Sequence, residues 1–96
     1  MNLLVTGGCG FIGSNFINNY FSQCQYLVNI DILNYCADEN NVNILIRTSP
    51  NYYLIKTNIQ DKTKILEIYE KFNITHVIHF AAQSHVQNSF ENALDF

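Results

Sequence analysis

Apolar and polar positions follow two rhythms along this chain. Leu3, Leu4 and Val5 form a run of strand-forming residues that breaks at a glycine cluster, after which Ile12, Phe16, Ile17, Tyr20 and Phe21 recur at helical spacing. This predicts a strand over 2–6, a tight turn, and a helix over 11–22 with Ser14, Asn15, Asn18 and Asn19 on its outer side. Tyr26-Leu27-Val28-Asn29-Ile30 then reads as a second strand over 26–31, apolar enough to be covered on both faces. Residues 32–38 read as a loop, 39–47 as a short helical segment, and Thr48-Ser49-Pro50-Asn51 as a break with turn chemistry. Tyr52 to Lys56 is a third strand. Asp61 is suited to cap a helix over 62–72, whose Ile65, Leu66, Ile68, Tyr69 and Phe72 make one apolar face. A fourth strand spans 75–80, and another helical pattern begins near Val86 and carries Phe90, Ala93 and Leu94.

Strands alternating with helices in this way call for a parallel sheet. The expected fold class is α/β, the first half of a doubly wound, Rossmann-like sheet with strand order 3-2-1-4, incomplete as it stands. The pattern ends within a helix just after the fourth strand, which leaves that strand as an apolar edge of a kind that invites pairing. Residues 1–96 are therefore expected to be the N-terminal part of a larger enzyme's nucleotide-binding domain, or a truncated reading frame.

Composition narrows the function classes. The chain is 48% apolar and 14% aromatic, enough for a core. Its net charge is −3 and its basic residues are scattered, so no basic patch is expected and nucleic acid is an unfavoured partner. No apolar run reaches the roughly 20 residues of a membrane span, and no charged leader precedes the first strand. Cys9, Cys24 and Cys36 form an odd, unpatterned set, read as reduced thiols of a cytoplasmic protein.

The chemistry concentrates in Leu3-Leu4-Val5-Thr6-Gly7-Gly8-Cys9-Gly10-Phe11-Ile12-Gly13. Gly7 is expected to supply the backbone angles of a tight turn, Gly10 to let the main chain approach a pyrophosphate, and Gly13 to let the helix pack closely on the strand. Residues 1–30 hold no Asp, Glu, Lys or Arg, so backbone amides at the helix N-terminus must take up the phosphate charge. An acidic residue about twenty positions beyond such a turn is the remaining element of a dinucleotide site, and Asp31 stands there. Its carboxylate would accept the adenosine ribose hydroxyls and repel a 2′-phosphate, and no Arg or Lys lies within 32–46 to welcome one. This favours NAD over NADP. Ligands of doubly wound sheets lie across the carboxyl ends of the strands, where Gly7–Gly13, Asp31 to Asn34, Asn58-Ile59 and Phe80 to Ser84 arrive.

Thr6-Gly7-Gly8-Cys9-Gly10-Phe11-Ile12-Gly13-Ser14-Asn15, taken with His79-Phe80-Ala81-Ala82-Gln83-Ser84-His85-Val86, resembles the extended short-chain dehydrogenase/reductases. Within them it resembles the nucleotide-sugar 4,6-dehydratases, which convert dTDP-glucose or UDP-glucose to the 4-keto-6-deoxy sugar nucleotide. The 4-epimerases of the same superfamily usually differ in the Ala-Ala-x-Ser-His-Val run. Asp31-Ile32-Leu33-Asn34-Tyr35-Cys36 and Asn88-Ser89-Phe90 look closest to the UDP-glucose branch known from eukaryotic rhamnose synthases and some large DNA viruses. The resemblance implies that the amides of Phe11 and Ile12 hold the pyrophosphate. It implies that Asp31, Ile32, Leu33 and Asn34 surround the adenosine, that Asn58 and Ile59 flank the adenine, and that Phe80, Ala81 and Ala82 line the nicotinamide side. Ser84 would reach cofactor and sugar, with His85 on the substrate side, and the full-length enzyme would be a homodimer acting on a nucleotide sugar. Where the family usually has Gly-Asp-Ile this chain has Thr57-Asn58-Ile59, an amide in place of a carboxylate.

The family's chemistry also requires a helical Tyr-x-x-x-Lys pair, in which lysine lowers the tyrosine pKa. Tyr52 to Lys56 spells it on a strand, where residues four apart lie about 13 Å from one another rather than about 6 Å as on a helix. No catalytic residue is expected among the 96; the alternative readings are a non-catalytic truncated remnant or interaction module with weak or no nucleotide binding, and a nucleotide-sugar 4-epimerase of the same superfamily. His76 and His79 point to opposite faces of one strand and are not expected to share a metal ion. Cys9, inside the turn, is either a thiolate activated by the helix N-terminus or, more simply, a small filler.

Overall fold

The structure, a computed structural model, describes residues 1–33 and 37–80. Within them four strands, β1 (Asn2–Thr6), β2 (Tyr26–Asp31), β3 (Tyr52–Lys56) and β4 (His76–His79), form one parallel sheet in the order β3-β2-β1-β4. The strand order read from the sequence is the one observed.

Helix α1 (Phe11–Tyr20) joins β1 to β2, the one-turn α2 (Ile44–Arg47) precedes β3, and α3 (Lys62–Phe72) joins β3 to β4. Two buried clusters show how they lie. On one face Leu3, Val5 and Leu27 pack with Ile17 of α1, Val42, Ile46 and Tyr52. On the other Leu4, Val28 and Ile30 pack with Ile65, Ile68 and Phe72 of α3. The central strands β1 and β2 thus bury alternate residues into opposite layers, which is why they read as near-continuous apolar runs. Ile78 and Val77 of β4 join the first and second cluster respectively, so the edge strand is apolar on both faces as expected.

α3 matches its expected bounds because its ends are chemically marked. The Asp61 carboxylate accepts the Lys64 main-chain N–H at 3.1 Å, and Asn73 ends the helix in the left-handed conformation, φ 53°. Other boundaries differ. The helix expected over 11–22 ends at Tyr20 and tightens into a 3₁₀ turn over Phe21–Gln23, and the segment expected over 39–47 divides into a 3₁₀ turn, Glu39–Asn41, and α2. Asn43 supplies the local reason for the second break, since its Oδ1 accepts the Leu45 N–H and starts a new helix there. The helical pattern beginning near Val86 lies outside the described residues.

The face of α1 also departs from the helical pattern. Ser14, expected outside, is buried and donates its hydroxyl to the Phe11 carbonyl at 3.1 Å, whereas Ile12, expected on the apolar face, is 60% exposed. The first turn of α1 lies against the glycine turn rather than against apolar side chains, so Gly13 and Ser14 face inward and Phe11 and Ile12 outward.

Candidate cofactor site

The turn between β1 and α1 is fixed at each successive residue. Gly7 adopts φ 72°, a conformation glycine takes at no steric cost, and its N–H donates to the Ile30 carbonyl at 2.7 Å. The Gly8 N–H donates to Asn29 Oδ1 at 3.0 Å, and the Cys9 N–H donates to Asp31 Oδ2 at 2.9 Å. The Gly10 N–H closes on the Gly7 carbonyl at 3.3 Å. From the far side the Asp38 N–H and the Asn41 side-chain amide both donate to the Cys9 carbonyl, at 3.0 and 2.9 Å.

The amides of residues 7–10 are therefore used within the protein. Those that follow are not capped by any of the described residues. Gly10 is the N-cap of α1, makes no side-chain capping bond, and no acid lies in the first turn. The first N–H groups of a helix have no intrahelical acceptor, so Phe11, Ile12 and Gly13 present amide donors and the positive end of the helix dipole at the carboxyl end of β1.

The glycines divide by what an added Cβ would meet. At Gly13 it would lie 2.4 Å from the Gly7 carbonyl oxygen and 2.8 Å from Gly8 Cα, so at this position the helix meets the turn and not, as expected, the strand. At Gly8, which sequence reasoning gave no role, it would lie 2.3 Å from Asn29 Oδ1 and 2.6 Å from Ile17 Cδ1. At Gly10 it would meet only the Gly7 oxygen, at 3.5 Å, an ordinary contact. The fold does not itself demand a glycine at 10. The missing side chain leaves the outer side of the turn open at this point, which suits a dinucleotide whose phosphates lie close to the main chain.

Asp31 is buried against the turn, its Oδ1 accepting the Leu33 N–H at 2.8 Å while Oδ2 holds Cys9. Each carboxylate oxygen keeps lone pairs for further donors. Leu33 is left-handed, φ 57°, and Ile32 is 49% exposed beside it. Asn58 is exposed, and its Oδ1 accepts the Gln60 N–H at 2.9 Å, so the oxygen expected to meet an adenine amino group already serves the turn into α3. Ile59 packs on the α3-side core. The partly buried Phe80 ring packs at a tilt on Phe16, 5.5 Å between centroids, at the edge of the α1-side core. Asn34, Ala81, Ala82, Ser84 and His85 lie outside the described residues.

Two reactive-looking groups are quiet. Burial, with the charge of Asp31 second, pushes the Cys9 thiol up to about 12, so Cys9 is a filler and not an activated thiolate. Tyr52 sits on β3 with its hydroxyl accepting from Asn29 Nδ2 at 3.0 Å, and burial pushes its pKa up to about 12, far from the Tyr-x-x-x-Lys chemistry its spacing imitates. Burial likewise lowers the pKa of His79, whose Nδ1 is hydrogen-bonded to the Thr6 hydroxyl.

Residues 4–96 match the GDP-mannose 4,6 dehydratase family. The chain belongs to that family. Among its dehydratase relatives, the dTDP-glucose 4,6-dehydratase of Haemophilus influenzae is 41% identical over 97 aligned residues, covering 100% of this chain and 28% of the relative. The solved dTDP-glucose 4,6-dehydratase of Bacillus anthracis, in complex with NAD, superposes with a TM-score of 0.80 at 38% identity, over 88% of this chain and 27% of that one. UDP-glucose 4-epimerase from Stenotrophomonas maltophila, with NAD bound, superposes at 0.74 and 31% identity, over 100% of this chain and 29% of that one. The dehydratase is nearer on both measures. The chain spans between a quarter and a third of these relatives' lengths.

Sequence reasoning missed Asn29 and Gly8. The signal was a lone amide in a strand otherwise apolar on both faces, two residues before Asp31, since a buried polar side chain must find partners.

Proposed function

We propose that this chain is the NAD-binding N-terminal portion of a nucleotide-sugar 4,6-dehydratase, a lyase acting on dTDP-glucose or UDP-glucose. One observation carries the reading: the uncapped amides of Phe11, Ile12 and Gly13 open beside a carboxylate, Asp31, that is tied to the same turn. Together they offer donors for a pyrophosphate and acceptors for ribose hydroxyls.

In this reading the Phe11 and Ile12 amides bind the phosphates, and Gly10 leaves room for them. Asp31 orients the ribose and disfavours a 2′-phosphate, which selects NAD over NADP. Ile32, Leu33 and Asn34 surround the adenosine; Asn58 and Ile59 flank the adenine; Phe80, Ala81 and Ala82 line the nicotinamide side. Ser84 and His85 face the sugar. Bound NAD supplies the hydride acceptor and donor for oxidation at C4 and reduction at C6 of the hexose. The proton-transfer groups for eliminating water across C5 and C6 belong to the remainder of a full-length dehydratase, which we take to be a homodimer.

The test is a fusion of residues 1–96 to the C-terminal remainder of the Haemophilus influenzae relative. The fusion is expected to release a 4-keto product from dTDP-glucose, and the 96-residue chain alone to release none. A folded fusion that binds NAD without turnover counts against the dehydratase reading, and turnover by the chain alone contradicts the placement of the proton-transfer groups elsewhere.

A further inference from the structure

An amide side chain in a strand covered on both faces costs stability unless each polar atom is partnered. Asn29 is fully buried in β2, and all its polar positions are engaged. Its Oδ1 accepts the Gly8 N–H at 3.0 Å; its Nδ2 donates to the Tyr52 hydroxyl at 3.0 Å and to Cys9 Sγ at 3.4 Å. Asn29 and Asp31 lie on the same face of β2, two residues apart, and hold the successive amides of Gly8 and Cys9. A leucine would fill the volume of Asn29 but leave the buried Gly8 N–H without an acceptor. Gly8 is bare for the same reason, since a Cβ there would collide with the Asn29 oxygen.

We propose that Asn29, oriented by the Tyr52 hydroxyl, is the positioning residue of the cofactor turn: it sets the course of Gly8 and Cys9 and so the direction in which the Phe11 and Ile12 amides open. This rests on the reading of those amides as the pyrophosphate site. The Asn29 side chain is fully buried and its partners are all within the protein. It acts through the main chain of the turn, and Tyr52 links the path of that turn to the register of β3, where Tyr52 pairs with Leu27.

The distinguishing test compares ligands with and without phosphates. In the full 96-residue chain, Tyr52→Phe removes one hydroxyl, and Asn29→Leu replaces the amide by a bulkier apolar side chain with the same number of heavy atoms. NAD and adenosine affinities are measured by titration, with circular dichroism reporting the fold. Tyr52→Phe is expected to weaken NAD by roughly two- to ten-fold, the range for one lost hydrogen bond, and Asn29→Leu by more than about ten-fold. Adenosine, which has no phosphate to misplace, is expected to bind each folded variant as it binds the parent. Unchanged NAD affinity in the folded variants, or equal losses for NAD and adenosine, overturns the positioning role and leaves the pyrophosphate reading standing. If Asn29→Leu does not fold, Tyr52→Phe decides alone. A folded parent chain that binds adenosine but gains nothing from the phosphates of NAD overturns the pyrophosphate reading itself, and this inference with it.

Discussion

Asp31 Oδ2 accepts the main-chain N–H of Cys9 at 2.9 Å, across 22 residues of sequence. The carboxylate that closes β2 and the turn that opens α1 are therefore tied directly to each other, so a dinucleotide can meet both at once. Substitution at 31 acts on both. Asp31→Asn keeps an oxygen and the side-chain volume but removes the charge. It is expected to weaken NAD by roughly ten-fold, in line with losing a charge-assisted hydrogen bond. NADP should lose less, because repulsion of its 2′-phosphate is relieved. Titration of both cofactors checks this, and equal losses would contradict the assignment of Asp31 to the ribose.

The three glycines 8, 10 and 13 should separate stability from binding. Gly8→Ala and Gly13→Ala force a Cβ to within 2.3 and 2.4 Å of other atoms and are expected to cost about 1–3 kcal/mol each in denaturant unfolding. Gly10→Ala meets only an ordinary contact, so its cost should stay within about 1 kcal/mol, the scale of an N-cap change. It should nevertheless weaken NAD by roughly ten-fold or more through lost amide–phosphate contacts. A Gly10→Ala chain with unimpaired NAD affinity would show that nothing approaches the turn there.

His79 supplies a pH dependence of definite sign. Burial lowers its pKa in the folded state below the ordinary 6.5, so the unfolded chain binds the proton more readily. The stability contributed by neutral His79 is fully present above pH 6.5 and is lost as pH falls from there through the lowered folded value. Thermal midpoints measured across this window should fall on acidification, and the His79→Gln chain should show a shallower fall. Equal slopes would mean that His79 is not desolvated beside Thr6.

Thiol reactivity gives an independent check of the turn. With the Cys9 pKa near 12, only about one molecule in ten thousand carries the thiolate at pH 8. Cys24, also buried, has its pKa raised by burial. Alkylation at pH 8, read residue by residue by mass spectrometry, should leave Cys9 unlabelled in the folded chain and label it rapidly in urea. Fast labelling of native Cys9 would place it outside the packed network with Asn29.

Much of this was legible in the sequence because the signals were local. The bounds of β1, β2 and β3 followed from apolar runs and glycine or proline breaks, and α3 followed from Asp61 at its start and a single apolar face. Gly7 to Gly13 and Asp31 stood out by spacing, and the structure brings them together. Local pattern failed where tertiary contact decides. Ile12 belongs to the helical stripe yet lies exposed, and Ser14 is buried, because the first turn of α1 rests on the glycine turn. Asn29 and Gly8 escaped notice because the reason for each is the other, 21 residues away.

If the opening of α1 holds a dinucleotide's phosphates by main-chain amides, bound phosphates must perturb those amides. The most direct measurement is a two-dimensional ¹H–¹⁵N titration of the chain with NAD, followed at single residues. Saturable shifts are expected to concentrate at the amides of Phe11, Ile12 and Gly13, with Gly8 and Cys9 holding their bonds to Asn29 and Asp31. Saturable binding that leaves the amides of 11–13 unmoved, or no binding by a folded chain, would contradict it.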